Sequence, residues 1–537
     1  MDPVASFERA LQSRLVRSAP RGRGNNGRSL AYEFLNDGDR MTKFGAAGGA
    51  DRAPTRAARI GALTAALLAA CVAFQLNASM LGPVLVTMSR ELGTDEATIG
   101  LSQTLFFTFA ALFSLFLPRL SDIIGRRRVL TGMLVVMLVG SVVAALAVNV
   151  GMLFAGRIIA GVSGPVIPIC LLMLRSEIAD PRRYGAALGL LTAVNGGIAG
   201  VDAIAGGALA TSFGFRSVFW VMAVVTAAAI VFIAVWGVES RPSSSVRMDW
   251  WGVLALVLSV GTLLVAINEA GKLAGANWEL VGMGLVVSVI SFGVFLVLEQ
   301  KVTEPLVPTQ FLRRREAWAL LLTTLLTLTG VFSVVNGLVV SIAQNHDAGF
   351  GMNADLASVL FLAPYALIGW LVGPFAGRLA PVFGYRLVLR IGLVGSIIAI
   401  VLMALVGVHS LPVLVVMTVL VGITYAGIAN IMLNGLGIVL SPAEHPGILP
   451  GLNAGAFNLG AGLSFAALPA LQVALAPNSD GSTSTAGYSG GILLGAAFTA
   501  LALAVSFFIP KPASAEASVL SRTPGHSVRN LQVRRTR

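Results

Sequence analysis

Residues 117–128 read Leu117-Pro118-Arg119-Leu120-Ser121-Asp122-Ile123-Ile124-Gly125-Arg126-Arg127-Arg128, a short polar turn set between two long apolar runs. The order is an acid just past one helix, a glycine that turns the chain, and an arginine cluster opening the next helix. It predicts an acid and several bases gathered at one rim of a helical bundle. Such groups bridge helix ends and separate when the ends part, because charges at helix termini interact with the exposed backbone dipoles there. The plainer reading is a basic loop that only orients the chain in a membrane.

On either side of this turn the chain is almost wholly apolar. Of its 537 residues, 56% are hydrophobic and only 12% are charged, against roughly 25% charged in a soluble domain. That is too little polar surface to cover a soluble fold, which excludes a soluble enzyme, a nucleic-acid binder and a disordered scaffold. Apolar runs recur at about 60–88, 97–118, 129–148, 151–174, 184–211, 215–238, 250–269, 279–298, 317–344, 356–376, 387–407, 411–433, 447–474 and 489–510. Each has the ~20 residues that a helix needs to cross a bilayer. The sequence therefore predicts an all-α polytopic membrane protein with fourteen transmembrane helices.

Loops on the side shared by both termini hold sixteen Lys and Arg, while the opposite loops hold only Arg90, Arg216 and Lys272. Cytoplasmic loops are enriched in these residues, so both termini are expected in the cytoplasm, with the bundle in a bacterial plasma (inner) membrane. The net charge of +12 is then topology and contact with anionic lipid rather than nucleic-acid binding. Residues 1–57 are basic with no apolar run. They read as a disordered cytoplasmic tail rather than a signal peptide, with Met41 as an alternative start. Cys71 and Cys170 lie inside apolar runs and read as packing residues.

The turn at 117–128 resembles the signature of the major facilitator superfamily between its second and third helices, G-x-L-x-D-R-x-G-R-[RK]. Leu120, Asp122, Gly125, Arg126 and Arg127 match, while Pro118 and Ile123 replace a glycine and an arginine. A second copy runs from Gly377 through Leu379 and Gly384 to Arg386, with Pro381 where the acid would stand. Internal copies mark a transporter built from repeated halves. These two lie 259 residues and eight predicted helices apart, so two helices are inserted between the halves. The resemblance implies a major facilitator fold: a six-helix bundle at 58–240, two inserted helices at 249–300, a second six-helix bundle at 316–510, and a basic cytoplasmic tail at 511–537. This arrangement is similar to the fourteen-span drug:proton antiporter branch. Glu304-Pro305-Leu306 with Phe311, and Gly451-Leu452-Asn453 with Leu459-Gly460, resemble further motifs of that branch.

Two ionisable residues sit well inside predicted helices, Arg157 and Asp202. Such groups cost some 2.5 kcal/mol or more at the bilayer centre and usually face a cavity or a partner. Arg157 and Gly161 resemble the family's R-x-x-Q-G-x-G, whose arginine is implicated in proton coupling, and a structural bond to neighbouring carbonyls is the alternative. Asp202 stands where the antiporter branch has Gly-Pro, ahead of the paired Gly206 and Gly207, which allow close helix packing. Both fall in the outer half of the membrane, where an Arg157–Asp202 pair would offset the desolvation of each. Asp202 is open to three roles: proton carrier, static ion pair, or substrate contact. Leu76-Asn77-Ala78-Ser79 departs from the branch's L-D-x-T, and Asn77 cannot titrate.

In the family the first, fourth, seventh and tenth helices of the paired halves line the cavity. Here that implies Gln75 and Asn77, Arg157, Asn336 and Gln344, then Tyr425, Asn430 and Asn434, with interhelical hydrogen bonding as the alternative role for each. Gln103, Asn195, Asn453 and Asn458 read as packing residues, and Glu269, Glu299 and His346 as groups solvated at the interface. No phosphate loop, no metal-ligand spacing and no catalytic constellation is readable, so no enzyme activity, cofactor or metal is expected. The function implied is proton-coupled efflux of a small amphiphilic compound by a monomer whose two bundles rock about a midplane cavity, drug resistance included. An importer or facilitator without antiport, or a transport-inactive scaffold, is the alternative.

Overall fold

The computed structural model describes residues 56–178, 181–240, 248–270, 275–302, 309–441, 448–475 and 484–511. The basic tails, the Glu304-Pro305-Leu306 motif and the side chain of Asn195 lie outside the described residues. Thirteen helices among the described residues are long and apolar enough to cross a membrane. In chain order, with the one further helix numbered in place, they are α1 Arg59–Leu92, α2 Thr98–Ile124, α3 Arg126–Ala145, α4 Val150–Glu177, α5 Pro181–Phe213, α6 Phe215–Trp236, α7 Trp250–Ile267, α8 Trp278–Lys301, α9 Arg315–Gln344, α10 Ala354–Ala380, α11 Tyr385–His409, α12 Leu411–Val439, α13 Leu449–Ala474 and α14 Thr485–Ser506. The further helix, α5, is 33 residues long, with an apolar stretch at Ile198–Phe213. At 1.5 Å per residue it is long enough to span. The fold is all-helical, and its helices coincide with the apolar runs of the sequence.

The apolar core falls into two large clusters and one small one. The first draws on α1 to α6 with Ala461 and Phe465 of α13, the second on α9 to α14 with Ala203 of α5 and Phe311, and a third joins Ala255 and Leu256 of α7 to Phe295 of α8. Helix α7 packs against α2 and α13, and α8 turns Met283, Val286, Val289 and Ile290 outward, as a helix facing lipid does. Cys71 and Cys170 are both buried and unpaired.

Helices touch most closely where glycine removes the side chain. At the α3–α4 crossing, a Cβ on Gly140 would lie 2.6 Å from the Gly156 carbonyl oxygen, and one on Gly156 would lie 2.7 Å from that of Gly140. Without a hydrophobic drive between helices in lipid, this close backbone packing is what holds them. Gly140→Leu is expected to force α3 from α4 at a cost of about 3 kcal/mol. Size-exclusion chromatography in detergent with a melting curve checks it: the variant should melt lower or aggregate, and an unchanged profile would contradict the packing account.

The arginine turns are built alike in both halves. Gly125 (φ 109°) and Gly384 (φ 88°) each join two helices in a conformation that a side chain disfavours. The helix before the first turn runs on past Pro118 to Ile124, so Asp122 lies inside the last turn of α2 and not beyond it as the sequence suggested. There it pairs with Arg126 at 2.9 Å, while Arg126 Nη1 donates to the Leu172 carbonyl of α4. The N–H groups of Arg126 and Arg127 donate to Ser240 Oγ (3.0 Å) and Glu239 Oε1 (3.2 Å) beyond α6. Glu239 also faces Arg128 at 3.7 Å. It thus supplies negative charge at the start of α3, where four backbone N–H groups lack helical partners. In the second half, Arg386, Arg390 and Arg315 donate to the carbonyls of Ile509, Ser506 and Phe508 at the end of α14. In the first half Arg127 Nη2 donates to the Ala234 carbonyl near the end of α6, so basic side chains hold the last helix of each half by its C-terminal end. Leu379 is exposed, and Gly377 faces open space.

Candidate functional site

The site begins with a fault in α1. Its regular helix stops at Ser79, and the chain continues through Met80 and Leu81 into a single 3₁₀ turn, Gly82–Val84, before helix resumes at Leu85. Pro83 has no N–H to offer, so carbonyls just before the break lose helical donors. Inside a membrane those groups need partners from elsewhere in the protein. The other helices expected around the cavity carry irregular turns too: a 3₁₀ turn at Gly161–Ser163 in α4, and π-helical turns at Val334–Leu338 in α9 and Gly422–Ala429 in α12. Such turns frequently mark functional positions.

Arg157 serves the broken end of α1. Its Nη2 donates to the Asn77 carbonyl at 3.0 Å and to Gln103 Oε1, and its guanidinium lies 4.1 Å from the centre of the Phe106 ring. The residue is wholly buried, and its Nε and Nη1 have no hydrogen-bond partner. Gln103, read from the sequence as packing, is therefore part of the arginine's seat.

Asp202 reaches the same break two residues further on. Ser79 Oγ donates to its Oδ2 at 2.6 Å, and Gln75 Nε2 donates to Ser79 Oγ at 2.9 Å. Asp202 is buried, and its Oδ1 has no hydrogen-bond partner. The ion pair expected between Arg157 and Asp202 is not formed. The α1 carbonyl takes the guanidinium and the Ser79 hydroxyl takes the carboxylate, so each ionisable group is tied to α1 instead of to the other. Ser79 carried no signal in the sequence beyond its place after Asn77.

The remaining candidates divide. Asn77 is fully buried, with Nδ2 donating to the Ala73 carbonyl and Oδ1 accepting from Ser141 of α3 at 3.4 Å. Its side chain thus bonds to a neighbouring helix, which is the alternative role given to it. From α9, Gln344 donates to the Pro83 carbonyl at 3.1 Å, and the Asn336 carbonyl stands where a Cβ on Gly82 would meet it at 3.0 Å. Both are thereby joined to the break in α1. Tyr425 is buried in the π-helical turn of α12. Asn434 donates to Asn430 Oδ1 at 3.1 Å, so that pair shares one face as its spacing requires. Of the packing glycines, Gly161 faces the Phe106 carbonyl, Gly206 the Met80 carbonyl and Gly207 the Ala354 carbonyl. Helix α5 is thus wedged between α1 and α10. Glu299, expected to be solvated, is 3% exposed beside Gly252 at the start of α7. Among the described residues no three His, Cys, Asp or Glu side chains gather as a metal site would require.

Residues 67–465 match the sequence profile of the Major Facilitator Superfamily. The chain belongs to that superfamily. A uridine/deoxyuridine transporter of Lactococcus lactis subsp. cremoris is 50% identical over 457 residues, which cover 84% of this chain and 95% of that protein. The puromycin resistance protein pur8 of Streptomyces alboniger is 29% identical over 388 residues, 71% of this chain and 73% of its own. Among solved structures, a POT family transporter in complex with 5-aminolevulinic acid superposes with a TM-score of 0.61 at 15% identity, covering 84% of this chain and 96% of that one. That likeness is one of fold. The chain is accordingly a multi-pass transporter of the superfamily that carries a small molecule.

Proposed function

We propose that this superfamily member carries pyrimidine nucleosides into the cell, driven by protons, across the bacterial plasma membrane. The observation that carries this reading is the 50% identity, across nearly the full length of both chains, to a protein named as a uridine/deoxyuridine transporter. Efflux of drugs rests on more distant relatives, and the Gly-Pro of the antiporter branch is absent here, with Asp202-Ala203 in its place. The excess of Lys and Arg in alternate loops supports cytoplasmic termini and a cytoplasmic position for the arginine turns.

In this reading the two bundles rock about the break in α1. Asp202 is the carboxyl that takes the proton, because it lies deep in the fold with one oxygen unbonded and no cation bonded to it. Arg157 holds the break in register. Asn336 and Gln344 transmit motion between the halves through Gly82 and Pro83. Asp122 with Arg126, and Glu239 with Arg127 and Arg128, keep the first half rigid at its cytoplasmic rim. The test is expression in a bacterium that lacks its own uridine uptake. Labelled uridine should enter and deoxyuridine should compete with it. Cells that take up no uridine yet become resistant to puromycin would overturn the reading in favour of efflux.

A further inference from the structure

A cleft of about 500 Å³ opens at the end of the bundle opposite the arginine turns, between α1, α2, α9 and α13. Its size is that of a small-molecule site. It is lined by the exposed Asp95 and Asp347, by Ser89, Ser341 and Gln472, and by Gly82, Gly100, Gly337 and Phe465, with Gly100 and Gly337 next to Phe465. Phe465 lies nine residues inside the end of α13, which at 1.5 Å per residue is some 14 Å down. Its ring lies parallel to that of Phe107 at 6.4 Å and edge-on to that of Phe332 at 6.0 Å. The floor is thus an aromatic plug shared by the two halves.

Gln472 is the buried amide in this cleft. It is 4% exposed and its side chain lines the cavity, where its amide is open to a ligand. A side-chain amide offers one donor and one acceptor side by side. The imide edge of uracil, an N–H flanked by a carbonyl, is its complement. An aromatic ring beside it suits a planar base. The ionisable side chains in the lining, Asp95 and Asp347, are both acidic and both exposed. They admit a neutral nucleoside and repel a phosphate.

We infer that this cleft is an outward recognition subsite for a neutral pyrimidine nucleoside, with Gln472 pairing to the base edge, Phe465 flooring it, and Asp95 and Asp347 turning nucleotides away. This rests on the nucleoside reading above and on the cytoplasmic placing of the arginine turns.

The experiment measures uridine uptake, and its inhibition by uridine monophosphate, in cells carrying wild type, Gln472→Leu or Asp347→Lys. Gln472→Leu should raise KM about tenfold, the loss of one to two hydrogen bonds, with the maximal rate within about twofold. Asp347→Lys, on an exposed loop, should turn uridine monophosphate into a competitor where wild type ignores it. Should Gln472→Leu fail to reach the membrane, Asp347→Lys decides alone. Unchanged KM in a well-expressed Gln472→Leu, or unchanged nucleotide discrimination in Asp347→Lys, overturns the subsite while the nucleoside reading stands. A wild-type protein that takes up no uridine overturns both.

Discussion

Asp202→Asn is expected to abolish pH-driven accumulation of nucleoside while leaving exchange across the membrane intact. The amide is nearly isosteric with the carboxyl, and its oxygen still accepts the hydroxyl proton of Ser79 that now reaches Oδ2 at 2.6 Å. Folding should therefore change by less than about 1 kcal/mol. What the variant lacks is a group that binds and releases a proton. With one proton carried per nucleoside, a difference of one pH unit across the membrane supports roughly tenfold accumulation, since tenfold corresponds to about 1.4 kcal/mol. The wild-type protein should approach that ratio, and its uptake should rise as the outside becomes more acidic, because the proton is then a more concentrated co-substrate. Asp202→Asn should stop at a ratio of one. Counterflow of labelled against unlabelled uridine in the variant distinguishes lost coupling from lost folding. Accumulation by the variant equal to wild type would remove Asp202 from the coupling step.

Arg157→Ala is expected to damage both transport and stability. The guanidinium meets the Asn77 carbonyl at 3.0 Å, bonds Gln103, and covers the Phe106 ring. Removal leaves the broken end of α1 with a carbonyl short of a donor, a buried amide without its partner, and a void. Hydrogen bonds to charged groups contribute about 1.5–3 kcal/mol each, so the loss is about 3 kcal/mol or more. Uptake should fall more than about hundredfold, since the break in α1 is the element that must hold its shape while the halves move. Arg157→Lys keeps the charge without the planar fork that reaches two acceptors, so it should recover part of the melting temperature and little of the uptake. Melting curves and initial rates on the same preparations check both. A normally active, normally stable Arg157→Ala would contradict the role given to α1.

The helices were legible in the sequence because a membrane span needs little more than an uninterrupted apolar run, and the alternation of basic loops checked their number. The glycine turns at Gly125 and Gly384 were legible as internal copies. The contents of the site were legible only as a collection. Arg157 and Asp202 stood out as charges in apolar helices, but their partners lie 80 and 123 residues away, at Asn77 and Ser79. Opposite charges at like depth suggested a pair, whereas the break in α1 offered each a different partner, the Asn77 carbonyl for Arg157 and the Ser79 hydroxyl for Asp202. No periodicity marks that choice. Gln103 looked like any polar residue in an apolar helix, and Glu239 like any acid in a loop, until the fold brought them to Arg157 and to the start of α3. Cargo was the least legible feature, because the motifs that resemble the superfamily concern turns, packing and coupling.

The most direct test of nucleoside uptake uses proteoliposomes holding the pure protein, alkaline inside, with labelled uridine and an internal pH indicator. Uridine should accumulate above its outside concentration, the interior should acidify in step, and deoxyuridine should suppress both. Uridine that does not enter, or that enters only to equilibrium with no movement of protons, would contradict the account.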